Sequence, residues 1–203
     1  MPHKEILSKK QTDLFPRLKV FSENFGLVGG TAIALYLGHR QSVDFDLASS
    51  MPISAPSIRK KILELGKIDA VIIDSADEYT LIVEGIKFTF FHYPFPIKFS
   101  QKLEGAISTP DLEALGAMKA YALGRRAKWK DYVDLYFIAE KLSSIGPIIG
   151  KAKEIFGAEF NEKNFRAQLA YFKDIDYSEK VIFAKGFEIS DEEIKNKLLE
   201  YSV

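Results

Sequence analysis

The chain has no cysteine. Disulfides, thiolate nucleophiles and Cys-ligated metals are therefore excluded, and nothing points to an oxidising destination. Histidine is scarce: His3, His39 and His92 lack the spacing of a zinc site. Charge of neither sign prevails, because 28 Lys+Arg balance 28 Asp+Glu. That argues against a dedicated basic clamp for nucleic acid and leaves only a local patch open. Long hydrophobic runs are missing as well. No stretch approaches the ~18 apolar residues of a membrane-spanning helix, and "MPHKEILSKKQTDLF" has no signal-peptide core. The expectation is a cytoplasmic protein with no membrane partner.

What is present is ample core material. Hydrophobic residues make up 47% of 203, enough for one large domain or two small lobes. Leu14, Leu18, Phe21 and Phe25 recur at helical spacing. "GLV" reads as a short strand entering Gly29-Gly30, and "TAIALYLG" as a helix closed by Gly38. "SVDFDLA" alternates, with Val43, Phe45 and Leu47 on one face and Asp44 and Asp46 on the other. "SAPSIRKKILELG" is a helix with Pro56 in its opening turn. "KIDAVIID" and "YTLIVEGIKFTFFHY" are strand-rich, with Glu84-Gly85 as a hairpin turn. The character changes near Thr109-Pro110, read as a cap followed by the first helical residue. Helices then continue to the C-terminus. The fold class expected is α+β: a mixed sheet with flanking helices over residues 1–105, then a helical lobe over 106–203 that completes an active-site cleft.

Alternation holds Asp44 and Asp46 roughly 7 Å apart on one face. Like charges that close raise each other's pKa, and a cation between them relieves the repulsion. Mg²⁺ fits, being hard and often held by one or two carboxylates plus substrate phosphates. Upstream, Gly29-Gly30-Thr31 lies between strand and helix. Glycines allow close approach, and a helix N-terminus offers N–H groups to phosphate.

"LVGGTAIALYLGHRQSVDFDL" and the later "MKAYALGRRAKWKDYVDLYFI" together resemble the AbiEii/AbiGii-type nucleotidyltransferase toxins, a branch of the DNA polymerase β-like superfamily. Residues 27–47 and 111–138 carry the likeness. It implies Mg²⁺ (or Mn²⁺) held by Asp44 and Asp46, with Gly29, Gly30, Thr31 and Ser42 at the triphosphate and metal. It makes Lys119 a phosphate contact and Asp131 either a general base or an orienting group. Lys130 stands where Arg is commoner in the family, and loses its bidentate fork. Asp134, three residues after Asp131 on the same helix face, Arg40 and Arg126 are further contacts; Lys119 and Arg126 are read as two turns apart on one helix. The implied partners are an NTP, an RNA such as tRNA as acceptor, and a cognate antitoxin. Two alternatives stay open: an inactive nucleotide- or partner-binding module, and a transferase acting on a small molecule or protein. The superfamily's third strand carboxylate has no counterpart in "IKFTFFHY". His39-Arg40 is read as touching substrate or neutralising the acids, His92 as strand surface, and Trp129 as stacking on a base or packing between helices.

Overall fold

The computed structural model describes residues 2–203 and divides into two compact units, the first ending at Asp111 and the second beginning at Leu112.

The first unit opens with α1 (Lys9–Leu14), capped by Ser8 and Gln11 in a reciprocal box. Pro16 lacks the N–H that would continue this helix, so Phe15–Phe21 tightens into a 3₁₀ segment. The sequence periodicity suggested one helix; the proline makes two. The apolar stripe survives the break, since Leu14, Leu18, Phe21 and Phe25 are all buried. Next come β1 (Gly26–Val28), α2 (Gly29–Leu37), β2 (Phe45–Ser49), α3 (Ala55–Leu65), β3 (Ile68–Asp74), β4 (Glu78–Val83) and β5 (Ile86–His92). A small hairpin follows, β6 (Gln101–Leu103) with β7 (Ile107–Thr109).

The five longer-range strands form one sheet in the order β1-β2-β5-β4-β3. Only β2 and β5 run parallel; the other pairs are antiparallel. Glu84 and Gly85, with φ of 51° and 79°, make the β4–β5 turn. The apolar face carries Leu27, Phe45, Leu47, Leu81, Phe88 and Phe90, all buried. The 3₁₀ segment packs there, with the Phe21 and Phe90 rings 4.8 Å apart, and Phe45 lies 5.2 Å from Phe88. At the far edge, β3 pairs with β4 alone among the described residues, through two register shifts. It exposes Val71, Ile72 and Ile73.

The second unit is helical: α4 (Leu112–Leu123), α5 (Trp129–Lys141), α6 (Gly146–Phe156), α7 (Glu162–Leu169) and α8 (Asp191–Tyr201). Thr109 does not cap α4. It ends β7, and α4 starts after Asp111, while the Pro110 carbonyl accepts the Tyr36 hydroxyl at 3.0 Å. Ahead of α5, the chain around Asp176 is zipped on by Trp129 N to Asp176 O (3.0 Å) and Asp176 N to Ala127 O (2.7 Å). Glu179 then takes Lys128 at 2.5 Å and Lys130 at 3.3 Å. No helix among the described residues is long and apolar enough to cross a membrane.

Candidate nucleotide site

Phe45 and Leu47 face the core of the first unit, which turns Asp46 to the opposite face. Asp44 precedes β2 and keeps the alternation, half-buried like Asp46. Val43 breaks it: the residue is 54% exposed, because the strand begins only at Phe45. In register, Asp46 lies between Val28 on β1 and Thr89 on β5.

The glycine pair sits directly beneath this face. Gly29 has φ +71°, and a methyl there would meet Asp46 Oδ2 at 2.3 Å. At Gly30 a methyl would meet the Arg40 guanidinium at 2.6 Å and Ser42 Oγ at 3.4 Å. Absence of both side chains lets one acid and one cation close over the start of α2. Thr31 is buried, and its hydroxyl donates to the Asp44 carbonyl. Ser42 Oγ lies 2.8 Å from Thr31 Oγ1. This hydroxyl therefore ties the first turn of α2 to the entry of β2. Arg40 is buried and donates to the Gln41 carbonyl at 2.9 Å; His39 is buried beside it. Gly29, Gly30, Thr31, Arg40, Ser42, Asp44 and Asp46 thus come together in one unit.

The donor set suits a hard divalent ion: two carboxylates on one face beside a glycine turn at a helix N-terminus. Among the described residues no group of three acids or histidines assembles. Such an ion would need the remaining oxygens from substrate and water. Lys87 was not singled out from the sequence. It projects from β5 on the same face, with Nζ 2.7 Å from Asp44 Oδ2. Alternation along β5 sets Lys87 and Thr89 opposite the core residues Ile86, Phe88 and Phe90, but the pairing with Asp44 depends on the β2–β5 register.

The second unit gathers the other charged positions. Lys119 on α4 meets Asp131 Oδ1 at 2.5 Å and Asp134 Oδ2 at 2.9 Å, and all three are buried. Arg126 is not on the helix with Lys119, because α4 ends at Leu123. Instead the following turn brings its guanidinium back to Asp131 in a two-point grip of 2.9 and 3.2 Å. Burial pushes the Asp131 carboxyl up, but Lys119 and Arg126 outweigh it and hold the group below the usual carboxylate range. Lys130 stands outside this cluster, on Glu179. Trp129 packs between helices: its indole donates to Asp191 at 2.9 Å and its ring stacks on Tyr132. His92 ends β5 near Asp77, 3.4 Å away.

A family described as "Nucleotidyl transferase AbiEii toxin, Type IV TA system" matches residues 14–80, the stretch holding the glycine turn and both acids. Over those residues the chain is similar to the AbiEii-type family. An uncharacterised protein of Aquifex aeolicus (strain VF5) is 29% identical, covering 88% of each chain. Among solved structures, MenT4, a nucleotidyltransferase toxin of Mycobacterium tuberculosis H37Rv, superposes with a TM-score of 0.59 at 11% identity. That match covers 96% of this chain and 84% of the other. JHP933 of Helicobacter pylori gives 0.59 at 17%, covering 96% and 88%. These likenesses bear out the expected fold, a mixed sheet with flanking helices.

Proposed function

We propose that this protein is a Mg²⁺-dependent nucleotidyltransferase that moves a nucleoside monophosphate from an NTP to an acceptor hydroxyl. RNA such as tRNA is the acceptor we favour, in a toxin–antitoxin or phage-defence setting. The observation that carries the reading is the Asp46 carboxylate lying against Gly29. It supports reading Asp46 and the glycine turn as parts of one site.

Asp44 and Asp46 would hold the ion, which supplies charge neutralisation on the triphosphate and its leaving group. Backbone N–H groups at Gly30 and Thr31, in the first turn of α2, receive the distal phosphates. Thr31 serves through its backbone, since its hydroxyl is committed to the strand entry. Arg40 and Ser42 flank the same turn. The acceptor oxygen attacks the α-phosphorus in line, its proton leaves to solvent or a base, and pyrophosphate departs. Positioning and electrostatics do most of the work. Of the two roles the resemblance implies for Asp131, orienting fits better. A carboxylate held by Lys119 and Arg126 and kept acidic is a weak base. It fixes Lys119 and Arg126, and the half-exposed Arg126 is the cluster's outward cation.

Incubation with each labelled NTP, Mg²⁺ and total RNA tests this reading. Label on RNA with pyrophosphate release, both abolished by Asp46→Asn, is expected. No transfer with any nucleotide, or Asp44→Asn matching the wild type, overturns it. NTP binding that needs Asp46 without pyrophosphate release would assign a binding module instead. An adduct on a small molecule or protein, seen by mass spectrometry, would reassign the acceptor.

A further inference from the structure

Between α4 and α7 the second unit holds a cavity of about 250 Å³. Its floor is apolar, made by Ala120 and the buried rings of Phe160 and Phe165. Its rim is polar. Asn164 and Gln168 are four residues apart on α7 and share one face of that helix. Asn161 caps the helix, accepting the Asn164 N–H at 2.9 Å. The side-chain amides of Asn164 and Gln168 make no hydrogen bond among the described residues. The other wall is a three-tier stack. The Phe156 and Tyr121 rings lie 4.1 Å apart and 15° from parallel, and the Arg125 guanidinium sits 3.5 Å from the centre of the Tyr121 ring. Two groups that close cannot share a face, so the tyrosine is sandwiched. Arg125 Nη2 donates to the Tyr121 hydroxyl at 2.6 Å, which fixes the guanidinium over the ring. The outermost tier is thus a planar cation whose side chain is 54% exposed.

We infer that this cavity receives one unstacked nucleobase, carried by an RNA strand or by a free nucleotide. The base stacks on Arg125, and Asn164 and Gln168 bond its edge. Each carboxamide presents a donor beside an acceptor, the pattern that meets a base edge, and unpaired bases stack on arginine planes. Phosphate is the poorer occupant. Glu159 lies 3.7 Å from Arg125 and offsets its charge. Size also selects: the cavity is smaller than the ~300–1,000 Å³ of pockets for drug-sized ligands, which suits a single ring system. None of the residues assigned to the NTP takes part, so the inference stands or falls apart from the nucleotidyltransferase reading.

AMP titrated into the ¹⁵N-labelled full chain without divalent ions, followed at the side-chain amide resonances of Asn164 and Gln168, reads the site directly. Saturable shifts are expected with AMP and none with ribose 5-phosphate, which lacks the base. Arg125→Ala should weaken AMP about tenfold, and so should Gln168→Leu; thermal melting checks that both fold. Asp46→Asn should bind AMP here as the wild type does. A single-stranded oligo(A) of about eight nucleotides separates the two sources. Tighter binding than AMP assigns the cavity to RNA, and binding no tighter assigns it to a free nucleotide; either supports the inference. Silence at both amides with AMP and with the oligonucleotide overturns it. So do equal shifts with ribose 5-phosphate, or unchanged affinity in folded Arg125→Ala and Gln168→Leu.

Discussion

With φ at +71° and Asp46 Oδ2 2.3 Å from the place of a methyl group, Gly29 is under two independent constraints. The left-handed backbone costs a non-glycine residue roughly 1–2 kcal/mol, and the carboxylate has to move besides. Gly29→Ala is therefore expected to abolish Mn²⁺ and NTP binding as completely as Asp46→Asn, with a fall in melting temperature of only a few degrees. Calorimetric titration beside a melting curve separates the two effects. A different balance holds at Lys119. This ammonium is the buried partner of both Asp131 and Asp134. Truncating one partner of a buried ionic group typically costs about 3–5 kcal/mol, because the remaining charge is stranded. Lys119→Met is expected to lower unfolding free energy in urea by that amount. Loss of activity in the same variant has to be judged against the folded fraction. Activity lost in Lys119→Met with unchanged urea stability would contradict the structural role of this lysine.

At the scale of elements, α5 depends on a tether outside its own span. The segment around Asp176 is joined to it by two backbone hydrogen bonds, and Glu179 grips Lys128 and Lys130. The hydrogen bond from Lys128, helped by Lys130 and opposed by burial, brings the Glu179 pKa from 4.5 down to about 2. A depressed carboxylate contributes stability above its unfolded pKa, and this is lost as pH falls through the folded value. The tether should therefore hold at neutral pH and weaken between about 4.5 and about 2. Glu179→Gln should flatten that part of the stability curve, measured by hydrogen exchange at Trp129 and Asp176 across the acid range.

Elements whose own residues specify them were legible in the sequence. Gly38 closes α2 in the left-handed region, Glu84-Gly85 turns β4 into β5, and alternation put Asp44 and Asp46 on one face. The less legible parts depend on pairing between segments. The β6–β7 hairpin has strands of three residues, too short for a periodic signal, and it takes Thr109 away from the helix expected to use it as a cap. Arg126 followed a helical count past Leu123, where α4 has already ended. Lys87 needed the β2–β5 register to be matched with Asp44.

Across the whole molecule, equal numbers of acidic and basic residues place the isoelectric point near 6.9. Little net repulsion then keeps copies apart at neutral pH, and solubility is expected to pass through a minimum there. Light scattering at fixed concentration from pH 6 to pH 9 would trace it. The exposed edge of the sheet sharpens the problem. Along β3, one side of the backbone has no neighbouring strand among the described residues, and Val71, Ile72 and Ile73 are 42%, 54% and 39% exposed. Unpaired strand edges with apolar side chains template association between chains. Ile72→Lys is expected to reduce concentration-dependent association in size-exclusion chromatography with a melting temperature within about 2 °C of the wild type, since surface changes usually stay within ~0.5 kcal/mol. The two register shifts along β3 have a further consequence. They interrupt the even ladder that a long fibril would have to copy, so they should favour small, reversible clusters over ordered fibres, and dilution should restore monomers.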